Sequence, residues 1–333
     1  MRSGEIGLLA LLAVTLASVI GAIAVSGASG PTAEPVTGGK VLPLLEPNLS
    51  HLARLTFTHN GKTITLERAA GEEWVMLEKD RYPVDPKVLH RAVLGLAEAR
   101  LVEPKTRVAA LYPRLEVEDG GNSTTLQAQD DQGKDLGQVL IGKRRIDELG
   151  GGNDGLYVRK AGDAQSWLAR ATLELPEQEV GWLDRRIVDL GPAMIKEMTL
   201  TQPDGATLRI GHEKPQDPFT LLAAPADTKP KEEALLSLSQ ALAQLQFNDV
   251  HRAGSSEETG SFHAEIIGFD GMDLKITLAE RDKVSWAHFT AGANDAAQAL
   301  NAKLAPWDYA LSPEAAAALK TKLADLLDGK NRS

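Results

Sequence analysis

Residues that could carry out chemistry are scattered along this chain, and the most suggestive spacing is a glycine motif. Gly150, Gly152 and Gly155 satisfy the G-x-G-x-x-G pattern of dinucleotide-binding loops. Such a loop must follow a strand directly and open a helix, whose N-terminus receives the pyrophosphate. Here residues 143–149 intervene before the glycines, and the apolar run at 156–158 predicts a further strand. We therefore interpret the motif as a hairpin loop and predict no nucleotide site.

Histidines are the next candidates for catalysis or metal binding, and they stand far apart in the sequence. They are His51, His59, His90, His212, His251, His263 and His288. No two have the three- or four-residue spacing that places both imidazoles on one helix face. The chain also lacks cysteine, a G-x-S-x-G elbow and an S-x-x-K motif. We predict no catalytic, cofactor-binding or metal-binding residues, although distant residues can still assemble a Ser-His-Asp arrangement.

The charge of the chain argues against nucleic acid as a partner. Its 333 residues carry a formal net charge of -10, so there is no basic excess to neutralise phosphates. The densest basic clusters, at 143–145 and 185–186, have acidic neighbours in the sequence. They could meet an acidic partner or a lipid head group, but we favour solvated loops with local ion pairs.

One apolar run near the N-terminus organises the rest of the chain. Residues 6–25 contain no charge, and a helix of that length crosses the roughly 30 Å hydrocarbon core of a bilayer. We interpret the run as an uncleaved transmembrane helix. The alternative is a cleaved signal peptide, whose apolar region normally spans about 7–15 residues. Arg2 in the short head, residues 1–5, favours a cytoplasmic N-terminus and an exported body. We expect an inner-membrane location with the body in the periplasm.

A flexible linker and a large folded body are expected after the anchor. Residues 26–50 alternate glycine and proline, a composition that favours an unstructured linker. Beyond it, apolar residues at alternate positions flank Asn60-Gly61 and predict a hairpin. Asp85-Pro86 then predicts the start of a helix. The predicted fold class is therefore α+β, with mainly antiparallel sheets and one helix in each repeated unit.

The same order of elements occurs twice along the chain. A hairpin around Asp204-Gly205 and a proline-led helix from Pro230 repeat the first hairpin and helix. The end of the second helix, predicted at 242–247, matches 96–101 at an offset of 146 residues. Agreement of element order, turn chemistry and spacing favours a tandem duplication. We predict a first repeat at 51–172, a connector at 173–192, a second repeat at 193–311, and a C-terminal helix and tail at 312–333.

Several apolar and aromatic runs together resemble a known family. They are Val139 to Gly142, Gly155 to Arg159, Ser166 to Leu168, Trp182 to Leu190, Phe219 to Leu221 and Phe247 to Val250. In these runs the chain is similar to a bacterial family catalogued only as a domain of unknown function, where a tryptophan is common at the position of Phe219. Its members are single-pass membrane proteins encoded beside an ABC transporter permease, its ATPase and a gliding-type auxiliary protein. The resemblance implies an accessory subunit in an exported position and no catalytic residue.

Three functional hypotheses follow. The first is a membrane-anchored, non-enzymatic auxiliary or scaffold component outside the cytoplasm, with the membrane as partner through residues 6–25. Its ABC permease, ATPase and gliding-type partners are implied only by the resemblance. The second is an exported module that binds a glycan, lipid or peptide in a groove between the repeats. The third, an exported hydrolase, requires titratable groups that converge in a pocket.

Overall fold

The computed structural model of the chain describes residues 37–149, 154–224, 228–254 and 261–327. The predicted cytoplasmic head, the transmembrane helix and most of the linker lie outside these residues, as do Gly150 and Gly152. Among the helices that are described, none is long and apolar enough to cross a membrane. The described chain is a mixed α/β protein with two antiparallel sheets and few helices, which confirms the predicted fold class at that level.

The first sheet is built from nine strands within the described residues. They are β1 (Leu52–His59), β2 (Lys62–Arg68), β3 (Trp74–Met76), β4 (Tyr82–Pro83), β5 (Arg100–Pro104), β6 (Thr124–Asp130), β7 (Asp135–Arg145), β8 (Gly155–Lys160) and β9 (Ser166–Arg170). Their order is β4-β3-β2-β1-β6-β7-β8-β9-β5. Helices α1 (Pro86–Glu98) and α2 (Tyr112–Leu115) and 3-10 turns at Glu46–His51, Leu77–Lys79 and Ala109–Leu111 complete this half.

The second sheet also has nine strands in the described part of the chain. They are β10 (Arg186–Val188), β11 (Ile195–Thr201), β12 (Thr207–Gly211), β13 (Thr220–Leu221), β14 (Leu245–Arg252), β15 (Phe262–Gly268), β16 (Asp273–Arg281), β17 (Val284–Gly292) and β18 (Trp307–Leu311). Their order is β10-β14-β18-β17-β16-β15-β11-β12-β13. The helices are α3 (Glu232–Ser239), α4 (Asp295–Leu304), α5 (Pro313–Leu319) and α6 (Leu323–Leu326), with 3-10 turns at Glu179–Trp182 and Pro192–Met194.

Turn and cap residues explain why the local elements form where they do. Asn60 and Gly61 both adopt positive φ, the conformation that the tight turn between β1 and β2 requires. The carboxylate of Asp85 accepts a hydrogen bond from the backbone N–H of Lys87 and so caps α1, as predicted. Ser312 likewise caps α5, with its hydroxyl accepting from the backbone N–H of Ala315. Local side-chain chemistry therefore fixes these starts.

Two predicted helices differ from those in the structure. The second-half helix was expected to continue to residue 247, but α3 ends at Ser239 and Leu245 begins β14. The turn after α3 ends at Gln244, which has positive φ, and pairing of β14 with β10 and β18 then overrides helical propensity. The C-terminal helix is also divided: α5 ends at Leu319, and α6 begins after Lys322, whose backbone N–H donates to the carboxylate of Asp325.

The two sheets share one strand order, as a duplicated unit requires. Strands β3-β2-β1-β6-β7-β8-β9-β5 correspond to β13-β12-β11-β15-β16-β17-β18-β14. A β-bulge lies between Leu101 and Glu103 in the pairing of β5 with β9. It recurs between Phe247 and Asp249 in the pairing of β14 with β18, at the offset found in the sequence. The tandem duplication therefore agrees with the strand order and with the position of the bulge.

The boundaries assigned to the linker and the connector need correction. Val41, Leu42 and Leu45 are buried, so the stretch from residue 40 is part of the folded body and not of a flexible linker. An isolated bridge joins Lys40 to Arg100, and β10 joins β14 at the equivalent positions, 186 and 246. Each repeat therefore begins with a short extended segment that pairs beside the strand after its first helix. Periodicity did not reveal these segments because each is only a few residues long.

Tyr82 joins the two repeats into one hydrophobic core. Its ring is almost fully buried and lies against Phe247, Trp307 and Tyr309, with centroids 5.2, 4.8 and 6.3 Å away. Its hydroxyl donates to the backbone oxygen of Asp184 at 3.2 Å. Since Tyr82 belongs to β4 and its three aromatic neighbours to β14 and β18, the packing crosses between the sheets.

Candidate functional site

A cleft of about 840 Å³ opens where the two repeats meet. One wall comes from the strands β1, β2, β6 and β7 of the first sheet, and another from residues 175–182 of the segment between the repeats. Asn248 and Asp249 of β14 supply the contribution of the second sheet. We call this the first cleft. Its lining includes side chains from both repeats and from the segment that connects them.

Two buried aromatic rings form the apolar base of the first cleft. Phe57 in β1 packs against Trp182 at a centroid distance of 4.7 Å, and the rings are 4% and 1% exposed. Trp182 ends a 3-10 turn, and its backbone oxygen accepts from the backbone N–H of Asp85 at the start of α1. The indole Nε1 of Trp182 is buried and has no hydrogen-bond partner among the described residues. The ring contact and this backbone hydrogen bond hold the base against the first repeat.

Lys79 connects the two repeats at the edge of the first cleft. Its Nζ lies 2.7 Å from Oδ1 of Asp249 and 3.2 Å from Oε2 of Glu179. Burial alone would lower the pKa of Lys79, but the hydrogen bonds from its ammonium group to Asp249 and Glu179 raise that pKa. The ammonium group of Lys79 thus forms ion pairs with two carboxylates, and the formal charge of the three side chains together is negative.

The bulge in β14 places polar side chains in the first cleft. Asn248 is the extra residue between the paired positions Phe247 and Asp249, and bulges commonly redirect a side chain next to a functional site. Arg185 holds the bulge: its Nε donates to the backbone oxygen of Phe247 at 2.9 Å, and its guanidinium donates to Oδ1 of Asn248 at 3.3 Å. Arg185, which the sequence analysis placed in a solvated basic cluster, therefore has a structural role.

A second cleft of about 540 Å³ adjoins the first. It lies between the β16–β17 hairpin tip and α5, and Asn248 and Asp249 line it as well. Lys283, Trp286 and Lys320 are further lining residues. The two clefts are therefore neighbours that share the β14 bulge.

A cluster of titratable groups lies on the second sheet, outside the linings of both clefts. His288 donates from Nδ1 to the buried carboxylate of Asp308 at 3.0 Å, and Arg281 lies 3.4 Å from the same carboxylate. The hydrogen bond to Asp308 raises the pKa of His288, although burial opposes this. Burial also works against ionisation of Asp308, yet the hydrogen bond from His288 keeps the pKa of Asp308 below its usual value. This pair resembles an oriented base, but it lines neither of the two clefts.

The other candidates from the sequence are dispersed in the structure. His59 lines the first cleft, whereas His212 is buried between carbonyl oxygens of Asp217 and Ile195. Within the described residues, no three His, Cys, Asp or Glu side chains are grouped as metal ligands. In the basic cluster at 143–145 each residue forms an ion pair, with Glu116, Asp154 and Glu148 respectively.

Fold and site together define a mixed α/β protein with two sheets of the same strand order and a mixed polar and apolar cleft at their junction. The chain belongs to the family described as a domain of unknown function (DUF4340), whose model matches residues 74–261. The match extends from β3 of the first sheet into the second repeat, and so includes the junction. No curated protein and no solved structure matches the chain.

Proposed function

We propose that this chain is a non-enzymatic binding component, anchored in the inner membrane and exposed to the periplasm, that works with an ABC-type transport system. The observation that carries the binding role is the first cleft, because its walls come from both repeats and the connecting segment. An occupant of such a cleft contacts all three parts at once. The affinity for that occupant would therefore depend on the relative position of the two repeats, as expected of a subunit that binds a partner.

The sequence supports the membrane and transporter parts of the proposal. The uncharged run at 6–25 has the length of a transmembrane helix, and the family resemblance described above implies neighbours of the ABC type. The protein is expected to stay in the membrane pellet after an alkaline carbonate wash, with its body cleaved by protease added from the periplasmic side. Release of a mature form that begins near Val25 would instead support a cleaved signal peptide.

Affinity purification tests the partnership. Mild detergent extraction of the full-length protein should recover a permease and its ATPase, and deletion of residues 51–333 should abolish that recovery. Thr124→Trp, which places a bulky side chain in the first cleft, should reduce recovery at least several-fold. Thr63→Trp is the matched control, because Thr63 is exposed on β2 and does not line the cleft. Recovery of the transporter by the anchor alone, or no recovery by the full-length protein after crosslinking, would contradict the proposal.

A second candidate is an exported module that binds a small ligand independently of a transporter. The volume of the first cleft favours it, since small-molecule sites commonly measure about 300–1,000 Å³. Calorimetric titration of the purified full-length protein with ligand mixtures separates the two functions. Ligand binding that Thr124→Trp abolishes, without any associated transporter, would favour this candidate.

A further inference from the structure

We infer that the first and second clefts form one groove for an extended polypeptide segment that carries lysine or arginine side chains. This inference rests on the proposed binding function and names the chemistry of the occupant. The two clefts measure about 840 and 540 Å³, and Asn248 and Asp249 line both. The shared residues place the two clefts side by side at the β14 bulge. An elongated occupant fits such a surface better than a compact ligand, which would occupy only one end.

The β14 bulge distinguishes this junction from its counterpart in the first repeat. The bulge in β5 has Val102 as its extra residue, at the position equivalent to Asn248. Both repeats thus contain the bulge, but only the second one places a carboxamide there. The backbone feature is common to the duplicated unit, whereas the polar side chain occurs where the clefts meet.

Carboxamide side chains match the backbone of an extended peptide. Asn122, Gln178 and Asn248 line the first cleft, and a carboxamide has both donors and an acceptor, although the oxygen of Asn248 already accepts from Arg185. An extended chain presents the same two groups at every residue, and binding through main-chain hydrogen bonds is a recurring mode of peptide recognition. A glycan in the first cleft would need an exposed aromatic face, but Phe57 and Trp182 there are 4% and 1% exposed, and Trp286 of the second cleft is partly buried. Polypeptide is therefore the occupant that the lining favours.

The charges of the first cleft favour basic side chains in that polypeptide. Four carboxylates line it, Glu116, Glu177, Glu179 and Asp249, against two ammonium groups, Lys62 and Lys79. Glu116 is already paired with Lys143, so the excess of negative charge lies on the wall formed by Glu177, Glu179 and Asp249. Lys79 already bridges Glu179 and Asp249. Glu177 is exposed and forms no ion pair within the described part of the chain. A lysine or arginine of the occupant would complete the charge balance of this wall.

Selection from a random 12-residue peptide display library, with the full-length protein in detergent as bait, tests the inference. Enriched peptides should contain lysine or arginine. Their affinity, measured by fluorescence anisotropy, should fall about 3- to 10-fold in the Glu177→Gln/Glu179→Gln variant, the range for losing one or two exposed ion pairs. The Glu98→Gln/Glu213→Gln variant is the control, since it removes the same charge at exposed positions outside both clefts.

Single cysteines test whether one peptide spans both clefts, and the absence of native cysteine makes the labelling specific. A benzophenone attached at Lys62→Cys or Lys283→Cys should crosslink the selected peptide, and one at Lys134→Cys, in the β6–β7 turn, should not. Selection of peptides without basic residues, equal affinity in both double variants, or crosslinking from one cleft only would overturn the groove. If the transporter still co-purifies after such a result, the proposed function survives and only the occupant is wrong. If neither peptide nor transporter is bound, both fail.

Discussion

Tyr82→Ala is expected to destabilise the folded body and to uncouple its two repeats. The side chain is 2% exposed and lies in β4, while its aromatic neighbours Phe247, Trp307 and Tyr309 are in the second sheet. Truncation therefore removes packing that neither repeat can replace by itself. It also leaves a cavity between the sheets, which the surrounding rings can fill only in part.

The magnitude follows from the contacts of the ring. Replacing a buried aromatic residue with alanine costs about 3–5 kcal/mol, and we expect a loss of about 4 kcal/mol in the free energy of unfolding. Tyr82→Phe keeps the ring and removes only the hydroxyl that donates to Asp184 at 3.2 Å. One hydrogen bond of this kind contributes about 0.5–1.5 kcal/mol, so the phenylalanine variant should lose about 1 kcal/mol.

Urea unfolding of the full-length protein in mild detergent measures both effects, with tryptophan fluorescence and far-UV circular dichroism as probes. The wild type should show coincident transitions because its core is continuous. Tyr82→Ala should separate them, since each repeat can then unfold alone. Tyr112→Ala is the control: Tyr112 is buried, but its hydroxyl bonds lie within the first repeat. A loss below about 1 kcal/mol with coincident transitions in Tyr82→Ala would refute the reasoning.

Two further predictions concern packing and pH. Gly95→Ala should cost about 1–3 kcal/mol in urea unfolding, because a Cβ there would lie 2.4 Å from the backbone oxygen of Thr172. Gly191→Ala, where nothing lies within 4 Å, should stay within about 0.5 kcal/mol, and equal effects would contradict the packing. The hydrogen bond from His288 to Asp308 raises the pKa of His288 in the folded protein. The ion pair therefore stabilises the fold fully below about pH 6.5, the pKa of an unperturbed histidine, and this stabilisation is lost as pH rises through the raised pKa. His288→Gln should therefore reduce the free energy of unfolding more at about pH 5.5 than at about pH 9. The difference should be under about 1 kcal/mol, because the imidazole is 35% exposed. A loss that does not depend on pH would exclude this linkage.

Local elements were predictable where short-range chemistry decides the conformation. The Asn60-Gly61 turn and the Asp85 cap of α1 lie where the sequence predicts them, because a turn needs positive φ and a helix start needs a side-chain acceptor. The prediction failed at Leu245, whose apolar spacing continues the helical stripe of α3. There the partners of β14, which are distant in sequence, decide the conformation. Periodicity over a few residues does not contain that information.

The candidate site was less predictable than the fold. Lys79 and Asp249 meet although 170 residues separate them, and neither belongs to a recognisable motif. Duplication was the only useful signal, since it supported the alternative hypothesis of a groove between repeats. It gave no indication of the side chains in that groove. The positions of those side chains depend on the bulge in β14, which no local sequence pattern predicts.

The two equivalent bulges differ in the contacts that their carboxylate side chains make. In β5 the carboxylate of Glu103 lies 2.8 Å from Lys105 of the same segment, so its interaction stays within the first repeat. The equivalent carboxylate in β14, Asp249, reaches across the junction to Lys79. The duplicated unit therefore supplies the same backbone twice, and the second copy directs its polar groups toward the first. A cleft lined by both repeats follows from that difference.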